Sequence, residues 1–181
     1  MKKLLCCLLL LPTLGFAQIN KLLSGYVYVM AHDGSIGGGL TGNVELFNAI
    51  GIGPGVEVTS FEGRTLMPVF ADLKVKHRFK YLEPYINGQF GYNVYSVDRT
   101  ENVPLSTGGG QQPITYNQSG KFFYGAGAGV AWHFNTMGVF VSYVYRGYKY
   151  RSPKSIAEDG QSVNFGTRSV NANVFTLGVV F

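Results

Sequence analysis

The sequence predicts an all-β fold: an eight-stranded antiparallel up-and-down transmembrane β-barrel. Three observations lead there. Only 14% of the 181 residues are charged, against ~25% in a typical soluble domain, while 14% are aromatic and 25 are Gly. This composition argues against disorder, which needs charge and few aromatics, and against long helical bundles, which Gly and aromatics disfavour. After residue 17 no apolar window is long enough for a membrane helix, which needs ~20 residues. In its place come eight segments of alternating hydrophobicity separated by turn residues, the weak but repeated mark of a membrane barrel.

The first element is an expected secretory signal peptide over 1–17. Met1-Lys2-Lys3 is basic, Leu4 to Leu11 is apolar, and Gly15-Phe16-Ala17 supplies small residues for cleavage before Gln18. The apolar run is too short to span a bilayer as an anchor. Cys6 and Cys7 precede most of that run, whereas a lipidated cysteine follows it. Cleavage would remove both cysteines and also Lys2 and Lys3, lowering the formal charge from +5 to +3. So small a bias gives no basis for nucleic-acid binding.

The strands are expected at about 22–31, 38–47, 50–60, 66–78, 84–97, 121–133, 138–150 and 169–181. Connections after the second, fourth and sixth are short, near Asn48-Ala49, Phe79 to Glu83, and Asn135 to Met137. Those near Asp33-Gly34-Ser35 and Glu62-Gly63-Arg64 are also brief. Two are long and polar, 98–120 and 151–168, and both fall on one side. Outer-membrane barrels pair short periplasmic turns with longer outer loops, so both termini are expected in the periplasm and these two loops outside the cell.

Strand parity assigns the faces. In the last strand Phe175, Leu177, Val179 and Phe181 share the bulkier, lipid-facing side. In the sixth, Phe122, Tyr124, Trp132 and Phe134 oppose Gly125, Gly127 and Gly129. In the fourth, Val69, Ala71, Leu73 and Val75 oppose Phe70, Asp72, Lys74, Lys76 and Arg78. A soluble sheet would have to bury those four charges from one strand at high cost. The same counting points Glu45, Glu57 and Arg146 inward. The expected lumen network is therefore Glu45, Glu57, Asp72, Lys74, Lys76, Arg78 and Arg146, three acids against four bases. Eight strands leave room only for side chains, so this reads as a plug. A gated proton or ion path is the alternative. Trp132, Phe134, Phe79, Tyr81, Tyr85 and Phe47 are expected as one aromatic girdle near the short turns. Tyr95, Tyr124, Tyr143 and Tyr145 make the other.

These features resemble the small eight-stranded outer-membrane barrels, such as the OmpX-like proteins, the OmpA transmembrane domain and the porin-like barrels of Bacteroidetes. The resemblance rests on the signal peptide, the eight alternating segments and the terminal stretch Val174 to Phe181. It extends to Pro68-Val69-Phe70-Ala71-Asp72-Leu73 and Glu83-Pro84-Tyr85-Ile86-Asn87-Gly88. It implies residence in the bacterial outer membrane, among lipid and lipopolysaccharide. It also implies that Phe175, Leu177, Val179 and Phe181 form the signal read by the barrel-assembly machinery. Unlike in full-length OmpA proteins, no peptidoglycan-binding domain is expected after Phe181, and so no wall-tethering role.

No chemistry stands out. His32, His77 and His133 have no metal-ligand spacing, so no metal or cofactor is expected. His77 and His133 are not expected to meet. Glu158-Asp159 and Gly108-Gly109-Gly110 read as loop tips, since no strand and helix frame the glycines as a phosphate loop. The leading expectation is a non-enzymatic barrel whose loops 98–120 and 151–168 meet a surface protein or host partner. A narrow ion or small-solute channel is one alternative. A lipid-modifying enzyme using His32 with Ser142 or Ser169 is the other.

Overall fold

The computed structural model describes residues 23–46, 49–61, 63–104, 110–152, 154–156 and 162–181. The expected signal peptide, Phe47, Gly108, Gly109 and Glu158-Asp159 lie outside the described residues. Among the described residues every regular element is a strand. They run β1 (Leu23–His32), β2 (Ser35–Leu46), β3 (Ile50–Phe61), β4 (Arg64–Lys76), β5 (Leu82–Val94) and β6 (Ser96–Pro104). They continue with β7 (Gln111–Phe134), β8 (Met137–Arg151), β9 (Lys154–Ile156), β10 (Ser162–Asn164) and β11 (Thr167–Val180).

Eight of these strands are barrel staves, hydrogen-bonded in the order β5-β4-β3-β2-β1-β11-β8-β7, and the β5–β7 pairing closes the ring. Every pairing is antiparallel. The seam between the first and last staves continues past β11, where Gly25 and Phe181 exchange backbone hydrogen bonds of 2.8 and 3.0 Å. Closure removes the unpaired edges that an open sheet would expose.

Turn chemistry sets the ends. Asp33 and Gly34 both have positive φ, 44° and 76°. Two such residues make the tight primed turn that matches strand twist, which joins β1 to β2. That turn, the β3–β4 connection, the β6–β7 connection and the β8–β11 connection share one rim. The three short connections and both ends of the ring lie at the other.

The alternation carries the fold. In β4, Val69, Leu73 and Val75 are exposed on the outside, while Asp72, Lys74 and Lys76 are buried inside. In β11, Phe175 and Leu177 face outward while Val174 and Thr176 are buried. The molecule is inverted relative to a water-soluble sheet: a belt of large apolar side chains is exposed, and the interior holds the buried charges together with a cluster of aromatic residues that includes Tyr26, Phe70, Phe123 and Tyr148.

Three expectations need correction. The first concerns 98–120, expected as a polar loop. Instead β6 pairs with the first part of β7 from Ser96↔Ser119 to Pro104↔Gln111, forming a hairpin that continues β7 beyond the barrel. Its rungs are polar: Thr100 and Thr115 hydroxyls lie 2.9 Å apart, and Asn117 Nδ2 donates to Asp98 Oδ1 at 2.9 Å. Ile114 and Tyr116 are buried on the other face, but Arg99, Glu101 and Gln118 share it, which dilutes the contrast that reveals a half-buried strand. Gly120 sits where the hairpin leaves the ring, beside a β7–β8 register shift. A side chain there would meet the Asn93 carbonyl at 2.0 Å.

The second concerns 151–168, also expected as a loop. It contains the β9–β10 pair, and β11 begins at Thr167. The third concerns two tyrosines. Tyr85 and Tyr95 are buried inside, not in the girdles. Tyr85 shares the parity of Glu83 and Asn87, and Tyr95 packs against Tyr150 with ring centroids 5.3 Å apart. Trp132, Phe134, Phe79, Tyr81, Tyr124, Tyr143 and Tyr145 are exposed on the outside as expected.

Candidate functional site in the lumen

Every charged side chain in the lumen needs space, and the sequence supplies it across the ladder. Glu45 is paired with Gly51, Glu57 with Gly39, Asp72 with Gly53, and Arg146 with Gly125. A Cβ on Gly39 would lie 2.5 Å from Glu57 Cγ. At Gly39, Gly51 and Gly125 the missing side chain is thus volume that Glu57, Glu45 and Arg146 use, as a narrow eight-strand lumen requires.

The network has three layers. At the rim of the short connections, Lys76 Nζ donates to Glu45 Oε1 at 2.8 Å and lies 3.4 Å from Glu83 Oε1. Arg78 Nε donates to Glu83 Oε2 at 2.8 Å, and His133 Nε2 is 3.4 Å from Glu83 Oε1. Ser24 donates to Glu45. Arg78 is half exposed, so it closes the rim from outside instead of lying deep within.

In the middle layer Asp72 has no exposure. It is ion-paired with Lys74 and accepts from Asn43 at 3.2 Å, Gln89 at 3.2 Å and Asn87 at 3.4 Å. The Lys74 ammonium also sits 4.2 Å from the centre of the Tyr26 ring. A buried carboxylate is tolerable only with such a full set of partners.

The third layer is centred on Arg146. Its Nη1 donates to Glu57 Oε2 at 2.5 Å and its Nη2 to Glu57 Oε1 at 2.8 Å, a bidentate pair. Nε donates to Gln89 Oε1 at 3.0 Å, while Tyr28 Oη donates to Glu57 Oε1 at 2.6 Å. The guanidinium lies 5.7 Å from the Phe123 ring centre and 5.9 Å from that of Phe70. Glu57 stands on β3 and Arg146 on β8, four staves apart in a ring of eight. The ion pair therefore spans the full width of the lumen. A small void of about 20 Å³ remains between this layer and Lys74, room for about one water.

All seven sequence-predicted residues make lumen ion pairs, six of them buried: Glu45, Lys76 and Arg78 in the rim cluster, and Asp72, Lys74, Glu57 and Arg146 in two layers joined through Gln89. Sequence reasoning missed Glu83, Asn43, Asn87 and Gln89. Glu83 brings the ledger to four carboxylates against four cations. The signal was present: Glu83, Tyr85, Asn87 and Gln89 alternate with Pro84, Ile86 and Phe90, the same contrast that revealed β4. The terminal residues Phe175 and Leu177 are on the outside, and the Phe181 ring overlies Gly25. His77 packs edge-on against Phe79, centroids 4.4 Å apart, while His133 joins Glu83. His32 is buried with Nε2 2.7 Å from Thr59 Oγ1, so its hydroxyl partner is Thr59. Among the described residues no group of His, Cys, Asp and Glu could hold a metal ion.

No family model matches the sequence, and a search of curated proteins finds no match. Among solved structures the chain is similar to the N-terminal β-barrel domain of Pseudomonas aeruginosa OprF, at 12% identity and TM-score 0.45, over 88% of this chain and 96% of that one. It is also similar to Neisserial surface protein A, at 11% identity and TM-score 0.46, over 87% of this chain and 92% of that one. A NanC porin structure aligns at 12% identity and TM-score 0.27, over 88% of this chain and 98% of that one.

Proposed function

We propose that this chain is an integral outer-membrane β-barrel, closed to solutes, that anchors the β6–β7 hairpin and the β8–β11 connection for interaction at the cell surface. Membrane residence is supported by the belt of exposed apolar side chains around an interior that holds the buried charges. Water would penalise that outside, whereas lipid favours it. The single observation that carries the closed reading is the Arg146–Glu57 pair, which crosses the lumen between opposite staves with both side chains at or below 1% exposure. A hydrated pore would leave these groups wet.

In this reading the short connections and both termini face the periplasm and the hairpin faces outward. The role needs no catalysis; the pairing of buried His32 with Thr59 favours a structural task for that histidine over a lipid-modifying one. The test is current through planar lipid bilayers containing the purified protein. The wild type is expected to give no discrete steps. Steps that change on Arg146→Ala or Asp72→Ala would replace the closed anchor with a channel.

A further inference from the structure

A second polar cluster lies outside the lumen, where the β6–β7 hairpin leans toward the start of β11. Between them is a pocket of about 330 Å³. That is the lower end of the ~300–1,000 Å³ range of ligand sites and suits a ligand of one or two rings. Its wall is assembled from β6, the hairpin part of β7, and Ser152 with Phe165, Thr167 and Arg168.

The wall has three kinds of group. Arg99 on β6 and Arg168 on β11 line the pocket, with Glu101 the one carboxylate among the described lining residues. That carboxylate accepts from the Tyr116 hydroxyl at 2.5 Å, and Arg99 Nε donates to Gln118 Oε1 at 2.6 Å. Neutral hydrogen-bonding groups come from Gln118, Ser152 and Thr167. Gln118 is 2% exposed and Ser152 7%, so these groups are fixed in place before any ligand arrives. The third kind is carbon surface. Tyr116 and Phe165 stack with centroids 4.0 Å apart and planes 18° from parallel. Burial first, and then the Glu101 carboxylate, push the Tyr116 phenol above its ordinary pKa, keeping it a neutral donor. The base of the pocket is tied by Ser152 N–H donating to the Gly166 carbonyl at 3.0 Å.

We infer that this pocket binds a hydroxyl-rich small anion, a sugar acid or sugar phosphate. The guanidiniums would take the carboxylate or phosphate, for which their planar fork is suited. Gln118, Ser152 and Thr167 would take ring hydroxyls, and the stacked aromatics would meet the carbon face. The inference deepens the surface-interaction reading above and rests on it for which side of the membrane the pocket faces. The same chemistry is carried by a free solute and by the acidic sugars of lipopolysaccharide.

The test is calorimetric titration of the full chain in lipid nanodiscs with glucose 6-phosphate, glucuronate and glucose. Saturable binding of the two anions, weaker for glucose and weakened by added salt, supports the site. Arg168→Gln should reduce anion affinity at least about tenfold, the scale of one lost charge-assisted hydrogen bond. Thr167→Trp keeps both guanidiniums but fills the space, and should also abolish binding. No saturable anion binding, equal binding of glucose, or unchanged affinity in both variants would overturn the proposal. Displacement of a bound anion by purified lipopolysaccharide would uphold it and assign the lipid-linked source. Binding without displacement would uphold it and assign a free solute. Labelling of Asn102→Cys by an impermeant maleimide on intact cells checks orientation separately. Failure there removes the surface reading and leaves the nanodisc result standing.

Discussion

Arg146 is held on one wall of the lumen and neutralised on the opposite one. Removing either partner leaves a charge in a dry interior. Arg146→Leu should therefore destabilise the barrel by ~3–5 kcal/mol, because Glu57 stays buried without its partner. The double change Arg146→Met with Glu57→Leu should cost far less, since the charges leave together. Urea unfolding in detergent, followed by tryptophan emission from Trp132, measures both. Equal losses in the single and double variants would mean that the pair is not what couples the two walls. Much of this layer was legible from parity alone. Glu45, Glu57, Asp72, Lys74, Lys76 and Arg146 all point where alternation put them. Arg78 lies two residues beyond the end of β4 and reaches half into solvent. Asn43, Asn87 and Gln89 escaped because neutral amides stand out less than charges in a strand rich in glycine. Their role appears only once Asp72 is seen to accept from all three.

At the scale of elements, the β6–β7 hairpin is the part that sequence reasoning missed. Its rungs from Val97↔Gln118 to Pro104↔Gln111 pair β6 and β7 with each other alone, Ser119 pairs with Arg151 of β8 as well, and the ring is closed separately by β5–β7 pairing between Leu82↔Trp132 and Tyr92↔Phe122. Residues 97–118 should thus be replaceable by a two-residue Asn-Gly turn. The barrel should keep the heat-dependent gel mobility of a folded outer-membrane protein. Loss of that mobility shift would show that the hairpin helps to hold the ring. The barrel strands were readable because one face meets lipid and the other a charged lumen, which makes the alternation sharp. The hairpin's asymmetry is blurred in sequence: Thr100, Thr115, Asp98 and Asn117 satisfy one another on its exposed face, and on the other face Arg99, Glu101 and Gln118 are interleaved with Ile114 and Tyr116. A polar strand and a polar loop look alike in sequence, and only cross-strand partners separate them.

For the whole molecule, closure depends on where the chain's last strand meets its first. Phe181 contributes two backbone hydrogen bonds to Gly25 at that seam and places its ring over it. Deleting Phe181 removes both contributions, while Phe181→Ala removes only the ring. If the ring is what the assembly machinery reads, both variants should show reduced levels in isolated outer membranes. If Phe181→Ala accumulates normally and the deletion does not, the seam hydrogen bonds are the requirement instead. The ring order and the apolar exterior also fix which residues should touch lipid. Spin labels placed singly along β4 from Val69 to Lys76 report this directly, through collision with oxygen in the bilayer and with a water-soluble nickel complex. Membrane embedding with this register predicts high oxygen access at 69, 71, 73 and 75, and low access to both reagents at 70, 72, 74 and 76. Nickel access at 69, 71, 73 and 75, or no two-residue period, would contradict a lipid-embedded barrel with a sealed polar lumen.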